Sequence, residues 1–487
     1  MNFINLAHAA SDAQEPSALG FLLPIFILVL MYFILIRPQS KKLKEHKQMI
    51  AELKVGDEIA TSGGILGKVL KVGESFIQLK ISDNVEIKLQ KTSVNKIFDT
   101  LNNYSQNSEV RYVGGCIRKI IKKETIDDID LATNLIPNEI CEALKKNKID
   151  FYETGIKHGT ITAIIDEQKY EITSLRRDVK TDGRHAIVKF STDWKEDASR
   201  RDFSINSIYS DGNGNLFDPY DGKRDLENGL INFIGDAEIR IKEDYLRILR
   251  YIRFYLNYSK QKHNPKIIGI LKKNIDGISK LSPERLLDEF KKLIKSDNFL
   301  KLFKDKESLE LIEIIFPQLK RLDRFKKLNS YAQNNFKELD FIFLLSLMII
   351  DGTDNIDYFF YKFNISKKEQ KRMKLLDLFY KKEINFKNFN EKILKKIFYF
   401  DGRQATIDII NFKLFTSKKF EKKIFKLIDI YKKKEIVNMP IGANDLMIKY
   451  NIPEGKSLGN KLKTIEEIWV QNSFVINENQ LLKIIKS

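Results

Sequence analysis

Hydrophobic residues are distributed very unevenly along the first hundred positions of the chain. Residues 17–36 read SALGFLLPIFILVLMYFILI and contain no charged side chain. About 20 consecutive apolar residues match the hydrocarbon thickness of a bilayer at roughly 1.5 Å per helical residue. The pattern therefore predicts one transmembrane helix over 17–36, with a buried core helix as the alternative interpretation.

Charges on either side of this segment favour the membrane interpretation and predict its orientation. The charged residues ahead of it are Asp12 and Glu15, so the basic region of a cleavable signal peptide is missing. The residues behind it are basic, namely Arg37, Lys41, Lys42, Lys44 and Lys47. By the positive-inside rule we expect a single-pass protein of the cytoplasmic membrane, with residues 1–16 as an extracytoplasmic tail and all later residues in the cytoplasm.

Between residues 37 and 98 the pattern changes to short alternating segments. A basic amphipathic stretch is followed by alternation that is interrupted at Gly63, Gly64, Gly67 and Gly73. Such segments are typical of strands joined by glycine turns, and they predict a small β-rich domain. No residue set in this stretch indicates catalysis.

The next stretch combines a glycine turn with acidic residues on predicted strands. Val113 is expected to end a strand, and Gly114 and Gly115 let backbone N–H groups approach a phosphate where a helix begins. Asp128 and Asp130 are two positions apart, so on a strand they point to one face and can share hard cations. Glu171, on the alternating segment 169–175, faces this pair if the two strands are neighbours.

The remainder of the chain, from about residue 236, has helical periodicity. Asp244, Arg247, Arg250 and Arg253 recur every three residues and predict one broad helix face, for which a solvated charged surface is the plain interpretation. Ser282 and Pro283 predict the start of a further helix. Beyond residue 300 the pattern indicates amphipathic helices that are rich in lysine and aromatic residues.

Composition changes this picture in two respects. The formal net charge of +18, from 84 Lys and Arg against 66 Asp and Glu, suits a polyanionic partner such as nucleic acid, although the composition of an AT-rich coding sequence, in which Lys, Ile, Asn and Phe are all abundant, explains it equally well. Cys116 and Cys141 form neither a disulfide framework nor a metal motif, so we expect a reducing compartment and no disulfide partner. No histidine follows His263, which excludes a His-rich hydrolase centre in the C-terminal half.

Two stretches resemble known families. The run YFILIRPQSKKLKEHKQMIAELKVGDEIATSGGILGKV resembles YajC, a single-span accessory subunit of the Sec translocase, over about residues 17–98. The resemblance implies partners in the inner membrane and at the Sec translocase. Farther along, an ordered set of motifs resembles the class II tRNA nucleotidyltransferase and bacterial poly(A) polymerase superfamily: GGxxR, DIDLAT, GIKHGTITAIID, EITSLRRDVKTDGRH, DASRRDFSINSIY, FDPYDGKRDL and IKEDYLRILRYIRF.

The second resemblance implies roles for individual residues. Asp128 and Asp130 would hold two Mg²⁺ ions, with Glu171 as the third catalytic carboxylate. The nucleotide would be bound by Gly114, Gly115, Arg118, Arg201, Asp202, Asn206, Asp244, Arg247, Arg250 and Arg253. Lys119 departs from the pattern, because the family usually has Asp after the arginine of GGxxR.

The resemblance further implies that Asp244 and Arg247 read the incoming base, and such a choice has a simple physical rationale. Cytosine and adenine both present an exocyclic amino donor beside a ring-nitrogen acceptor, whereas uracil and guanine reverse that order. A carboxylate that accepts from the amino group and a guanidinium that donates to the ring nitrogen therefore select C and A. The wrong base would leave buried polar groups unpaired, which is costly.

The resemblances and the patterns together predict a multidomain α+β protein. It has one N-terminal transmembrane helix, a small β-rich domain, a polymerase-β-like α/β nucleotidyltransferase head, and an all-α neck, body and tail. The expected segments are a tail at 1–16, the membrane helix at 17–36, the YajC-like domain at 37–98, the head at 99–235, the neck at 236–300, and the helical body and tail at 301–487, where tRNA is expected to bind.

The expected activity is template-independent addition of CCA, from CTP and then ATP, to the 3′ end of tRNA by a membrane-tethered chain. Three alternatives stay open at this point. The first alternative is that the chain is a poly(A) polymerase or an A-adding relative. The second is that it is a translocase accessory protein with a non-catalytic appended domain. The last alternative is that two adjacent reading frames have been merged.

Overall fold

The computed structural model describes eleven stretches of the chain, namely residues 53–60, 66–72, 76–82, 85–90, 93–126, 128–165, 168–181, 186–381, 391–417, 422–435 and 437–486. The predicted tail at 1–16 and the predicted membrane helix at 17–36 lie outside these residues. Within the described stretches, no helix has the length and apolar character needed to cross a bilayer.

The described residues fall into two compact units. The first contains residues up to Arg176 together with Phe190–Asp197 and Asn206–Pro219, and the second contains Arg177–Lys189, Ala198–Ile205 and Tyr220–Ser487. The chain therefore passes between the units several times. The six consecutive segments expected from the sequence stay a prediction.

The first unit begins with a four-stranded antiparallel sheet in the order β1-β2-β3-β4. Its strands are β1 (Glu58–Ala60), β2 (Leu66–Val72), β3 (Phe76–Ser82) and β4 (Val85–Gln90). Alternate residues Val69, Ile77 and Leu79 are buried and form its small apolar core. This sheet (hereafter the β-domain) lies within the β-rich domain that the sequence predicts.

The rest of the first unit is built on a larger mixed sheet. In chain order the next elements are α1 (Ser93–Asn102), β5 (Val110–Val113), α2 (Gly115–Lys122), β6 (Asp130–Thr133), α3 (Pro137–Lys146), β7 (Asp150–Gly155), β8 (Thr160–Ile165), β9 (Gln168–Ser174), β10 (Arg176–Thr181), β11 (Ala186–Phe190), α4 (Trp194–Ser199), β12 (Tyr209–Ser210) and β13 (Leu216–Phe217). Seven of these strands form one sheet in the order β13-β12-β5-β6-β9-β8-β7. Among the described strands β10 pairs with β11 alone, and apart from Arg176 and Phe190 both of these strands belong to the second unit.

One face of the seven-stranded sheet is covered by α1 and α3. Leu131, Ile161 and Ile172 project from the strands into a fully buried core that also contains Ile140 and Leu144 of α3. Alternation along each strand sends these apolar side chains to the helices and leaves the intervening side chains on the opposite face. Pro137 at the first turn of α3 is favoured there because that position needs no N–H partner.

The second unit is predominantly helical. Its further helices are α5 (Gly222–Asn228), α6 (Ala237–Glu243), α7 (Leu246–Tyr258), α8 (Pro265–Asn274), α9 (Pro283–Ile294), α10 (Lys306–Ile315), α11 (Ser330–Asn335), α12 (Phe341–Ile349), α13 (Asn355–Lys362), α14 (Lys367–Lys381), α15 (Glu391–Thr416), α16 (Lys422–Lys433), α17 (Ala443–Tyr450), α18 (Lys456–Gln471) and α19 (Glu478–Lys486). The predicted helix start is confirmed, since the Ser282 side chain accepts a hydrogen bond from the Arg285 amide at 3.5 Å and Pro283 is the first residue of α9.

A buried ion-pair group joins three helices of the second unit. Arg372 of α14 donates from Nη2 to Asp408 of α15 at 2.7 Å and from Nη1 to Asp340, the N-cap of α12, at 2.9 Å. The Asp408 side chain is only 2% exposed. Burial raises the pKa of Asp408, and the Arg372 guanidinium opposes that rise. The arginine is therefore needed to compensate a charge that the helices enclose.

We predict that Arg372→Met destabilises the helical unit by about 3 kcal/mol or more, because it leaves the Asp408 charge buried without its partner. Denaturant unfolding followed by the fluorescence of Trp469, which lies in α18 against α15, measures the loss. Lys337→Ala is the matched control, since Lys337 pairs with Asp297 at 2.6 Å but both side chains are more than 70% exposed. It should cost less than about 1 kcal/mol. An equal loss of unfolding free energy in Arg372→Met and Lys337→Ala would contradict the stabilising role of Arg372.

Candidate active site

A glycine turn joins strand β5 to helix α2. Gly114 follows the last residue of β5 and has φ 71° and ψ −115°, a left-handed backbone that favours glycine. Helix α2 begins at Gly115, and a Cβ built on Gly115 meets no atom within 4 Å. The predicted strand, turn and helix are therefore present, with backbone N–H groups of the first helical turn beside open space.

Arg118 lies inside the protein rather than on the surface of α2. Its side chain is 7% exposed, and Nη1 donates a hydrogen bond to Oδ1 of Asn206. Asn206 is buried as well, and it stands 88 residues farther along the chain. The structure thus brings together two residues that the sequence assigned to the nucleotide from separate motifs.

The three carboxylates are placed by two neighbouring strands. Strand β6 pairs in parallel with β9, and Asp130 is in register with Glu171. Residues in register on adjacent strands project to the same face of a sheet, so these two carboxylates are neighbours as predicted. Asp130 is half-buried and Glu171 is exposed.

Asp128 is placed differently from the prediction. Strand β6 starts at Asp130, so Asp128 lies in the segment that leads into the strand and its side chain is exposed. The pairing of β6 with its neighbours begins only at that point, which leaves the backbone of Asp128 outside the ladder. Strand geometry therefore does not fix Asp128 on the face of Asp130.

No group of three or more His, Cys, Asp or Glu side chains is close enough to hold a metal ion by itself within the described residues. The carboxylates present nevertheless fit Mg²⁺, which keeps several waters and is usually bound by one or two carboxylates together with substrate phosphates. Asp130 and Glu171 offer such a partial ligand set beside the glycine turn.

A buried thiol links helix α2 to the neighbouring strands β5 and β6. Cys116 of α2 is 2% exposed, and its Sγ donates to the backbone oxygens of Val113 at 3.3 Å and Asp130 at 3.8 Å. Burial raises the pKa of the Cys116 thiol, so the group stays protonated and donates. This contact connects α2 to the first residue of β6.

Asp202 and Arg201 belong to the second unit. Asp202 is 7% exposed and accepts from Nε of Arg250 at 2.6 Å and from the Phe203 amide at 2.9 Å. The backbone oxygen of Arg201 accepts from Nη2 of Arg240 at 2.6 Å. Asp202 therefore connects its own segment to helix α7 through Arg250. A contact of Asp202 or Arg201 with the nucleotide stays a prediction.

Asp244 does not lie on a helix with the three arginines, so that prediction was wrong. Helix α6 ends at Glu243, α7 begins at Leu246, and Asp244 between them is extended, with φ −151° and ψ 104°. Its Oδ1 accepts from the Leu246 amide at 3.2 Å, and its Oδ2 accepts from Arg285 at 2.8 Å. These bonds stabilise a break that the sequence, lacking glycine or proline there, does not indicate.

Arg247 is held by a residue that the sequence analysis missed. Oε2 of Glu243 accepts from Nη1 of Arg247 at 2.7 Å and from Nη1 of Arg240 at 2.6 Å. Burial lowers the pKa of Arg240, and the neighbouring Arg247 lowers it further. The spacing of 240 and 243 is the available signal, because side chains three apart meet on a helix surface, whereas Arg247 reaches Glu243 from the following helix. The Arg247 amide also donates to the Asp244 backbone oxygen at 3.0 Å, which keeps the two residues in one turn.

Arg250 and Arg253 converge on Glu289 of α9. Nε of Arg253 lies 2.5 Å from Oε1 of Glu289, and Nη1 of Arg250 lies 3.8 Å from Oε2. Glu289 is 2% exposed. Burial by itself lowers the pKa of Arg250. The attraction of the Asp202 and Glu289 carboxylates is larger than this effect, so the pKa of Arg250 is raised. These partners indicate that both arginines hold α7 to its surroundings, and a contact with nucleotide stays a prediction.

Comparison with known proteins identifies the parts of the chain. The Poly A polymerase head domain model matches residues 110–232, and the model described as the probable RNA and SrmB-binding site of polymerase A matches residues 265–322. The model of YajC, a preprotein translocase subunit, matches residues 21–98. Fold and site thus define a polymerase-type nucleotidyltransferase with a helical extension and a YajC region ahead of it.

Individual relatives belong to the same class of enzyme as the matched head domain. Human mitochondrial CCA tRNA nucleotidyltransferase 1 is 32% identical over 389 residues, which cover 78% of this chain and 87% of that protein. The crystal structure of the Bacillus stearothermophilus CCA-adding enzyme in complex with CTP has a TM-score of 0.63 at 18% identity and covers 80% of this chain and 95% of that one. The Thermotoga maritima CCA-adding enzyme complexed with tRNA has a TM-score of 0.54 at 19% identity and covers 81% of this chain and 95% of that one. The chain belongs to the family of CCA-adding tRNA nucleotidyltransferases.

Proposed function

We propose that this protein adds C, C and A to the 3′ end of tRNA, using CTP and then ATP with Mg²⁺ and no nucleic-acid template. The observation that carries the proposal is the parallel register of β6 and β9, which sets Asp130 beside Glu171 next to the glycine turn at Gly114. Family membership gives the reaction, and this register gives a place where it can occur.

The reaction joins the 3′ hydroxyl oxygen of the tRNA to the α-phosphorus of the incoming nucleotide. A new phosphorus–oxygen bond forms as the hydroxyl loses its proton to solvent, the bond between the α-phosphorus and its bridging oxygen to the β-phosphate breaks, and pyrophosphate leaves. Asp128 and Asp130 would hold Mg²⁺, which when bound neutralises phosphate charge and increases the acidity of the attacking hydroxyl. Glu171 adds negative charge beside Asp130 and so favours the cation there.

The protein's own groups orient the triphosphate. Backbone N–H groups at the start of α2 have no partner within the helix, and they can donate to phosphate oxygens across the open space at Gly115. The buried Arg118, fixed by Asn206, adds a positive charge behind that turn. Such fixed donors cost little reorganisation when the charge on the phosphate changes.

Asp244 and Arg247 are proposed to read the incoming base. The carboxylate accepts from the exocyclic amino group and the guanidinium donates to the ring nitrogen, which fits C and A and opposes U and G. The pairs Asp244 with Arg285 and Arg247 with Glu243 support this role, because each restricts a long side chain before the base arrives.

tRNA is the proposed polynucleotide partner. The human relative's name and the Thermotoga maritima tRNA complex favour tRNA over a poly(A) tail. The match to an RNA-binding model at 265–322 supports a contact region for tRNA in the helical unit, and the net charge of +18 favours phosphate binding.

A tether to the cytoplasmic membrane is proposed for the same chain. The YajC model matches residues 21–98, and residues 17–36 form an uncharged apolar run followed by basic residues. The anchor would hold the enzyme on the cytoplasmic face, close to the Sec translocase. This part of the proposal rests on the sequence alone.

We expect Asp128→Ala and Asp130→Ala each to lower turnover at least about 100-fold, because each removes a cation ligand in a reaction whose charge the cation neutralises. CTP incorporation into tRNA lacking its 3′ end, measured against Mg²⁺ concentration, gives turnover, and filter binding gives tRNA affinity. Asp150→Ala is the control, since Asp150 is exposed at the start of β7 in the same sheet. Wild-type turnover in Asp128→Ala would refute the proposed site.

For base choice, Arg247→Ala should reduce discrimination against UTP and GTP by roughly 10- to 100-fold, because a bidentate-type contact is worth about 1–3 kcal/mol. The measurement is kcat/KM for all four nucleotides, with Arg403→Ala as the control for loss of an arginine, because Arg403 is exposed on α15 and lies outside the RNA-binding match. A uniform loss for every nucleotide would mean that Arg247 only supports the helix.

For the tether, removal of residues 1–36 should move the protein from the membrane pellet to the supernatant and leave CCA addition within about twofold of the full chain, because the anchor and the chemistry occupy separate stretches. Carbonate extraction followed by immunoblotting and an activity assay checks both halves. Full-length chain in the supernatant would contradict the anchor, and activity that requires lipid after truncation would contradict the separation.

A further inference from the structure

Ile126 is shared by two apolar clusters of the first unit. It packs against the core of the β-domain, which consists of Val69, Ile77 and Leu79. The partly buried Val72 packs against the same core. It also packs against the cluster formed by Cys116, Ile117 and Ile208 beneath helix α2. One half-buried side chain therefore joins the β-domain to the nucleotidyltransferase head.

The position of Ile126 along the chain makes this contact relevant to chemistry. The residue lies two positions before Asp128, in the segment between the end of α2 at Lys122 and the start of β6 at Asp130. The helical end of the segment is closed by Lys123, whose left-handed backbone directs its amide to the Ile120 oxygen at 3.0 Å. The other end is closed by the pairing of β6 with its neighbours.

Between those two ends, two apolar side chains of the described residues pack against neighbouring clusters. Lys123 and Thr125 are exposed, whereas Ile126 and Ile129 are half-buried. Ile129 packs against the core of the head, and Ile126 packs against both the β-domain and the cluster beneath α2. Because Asp128 has no strand partner, its position depends on these flanking contacts.

We propose that Ile126 is a positioning residue for the metal-binding carboxylates, and that the β-domain supports the segment that carries Asp128. The proposal rests on the proposed function, since it takes Asp128 and Asp130 as metal ligands. The β-domain then contributes to catalysis through packing, in addition to linking the head to the preceding membrane segment.

The expected consequence concerns the metal more than the polynucleotide. Two carboxylates bind one cation well only if both stay aimed at it, and a displacement of about 1 Å in such a site can cost on the order of 100-fold in rate. Loosening the Ile126 contact should therefore raise the Mg²⁺ concentration needed for half-maximal turnover and lower kcat. Binding of tRNA should be unchanged.

The test uses the full chain in detergent with Ile126→Ala, with Val72→Ala as a change on the β-domain side of the cluster against which both residues pack, and with Ile126→Val as the conservative variant. Ile120→Ala is the matched control, because Ile120 is 40% exposed on α2. The readouts are the Mg²⁺ concentration for half-maximal turnover, and hydrogen–deuterium exchange of residues 123–130. Thermal unfolding verifies that each variant is folded.

We expect Ile126→Ala and Val72→Ala each to raise the half-maximal Mg²⁺ concentration at least about fivefold and to speed exchange in residues 123–130, with Ile126→Val and Ile120→Ala near wild type. If Ile126→Ala and Val72→Ala both have the half-maximal Mg²⁺ concentration and the exchange rate of Ile120→Ala, the inference is overturned. The proposed function would still stand in that case, provided that Asp128→Ala is inactive. If Asp128→Ala is active, the proposed function itself fails. Should Ile126→Ala unfold the chain, Val72→Ala decides.

Discussion

The parallel pairing of β6 with β9 is the constraint on which the candidate active site depends. It places Asp130 beside Glu171, although the two residues are far apart in sequence. Leu131 and Ile172, the next residues of the same strands, are fully buried in the core against α1 and α3. A slip of β6 by one residue would expose Leu131 and turn Asp130 into the core, so burial of the apolar face also specifies the polar one.

Two carboxylates held side by side repel each other, and the surrounding structure is arranged to accommodate that charge. The glycine turn at Gly114 presents backbone N–H groups, and Arg118 supplies a positive charge that Asn206 fixes. The thiol of Cys116, protonated because it is buried, connects the helix to the backbone of Asp130. This part of the protein therefore has the features of a site for a cation and a polyphosphate together.

In the helical unit, three acidic residues near helix α7 hold arginine side chains in place. Glu289 receives Arg250 and Arg253, Glu243 receives Arg240 and Arg247, and Asp244 receives Arg285. Each pair restricts a flexible side chain, which lowers the entropy lost when a ligand binds. The pairs also explain why four charged residues near the start of α7 need not form a solvated surface, as their spacing alone would permit.

What the sequence by itself determined is mostly local. The strand, glycine turn and helix at 110–122, the Ser282 cap and the order of the family motifs follow from residue types at short spacings, because turns, caps and strand alternation depend on near neighbours. The tertiary structure decided the rest. It set Glu171 beside Asp130, joined Arg118 to Asn206, left Asp128 ahead of its strand, broke the helix at Asp244 and placed Ile126 against the β-domain. Each of these depends on contacts between residues distant in sequence, or on a local preference that such contacts override, and no periodicity in one stretch of chain can specify them.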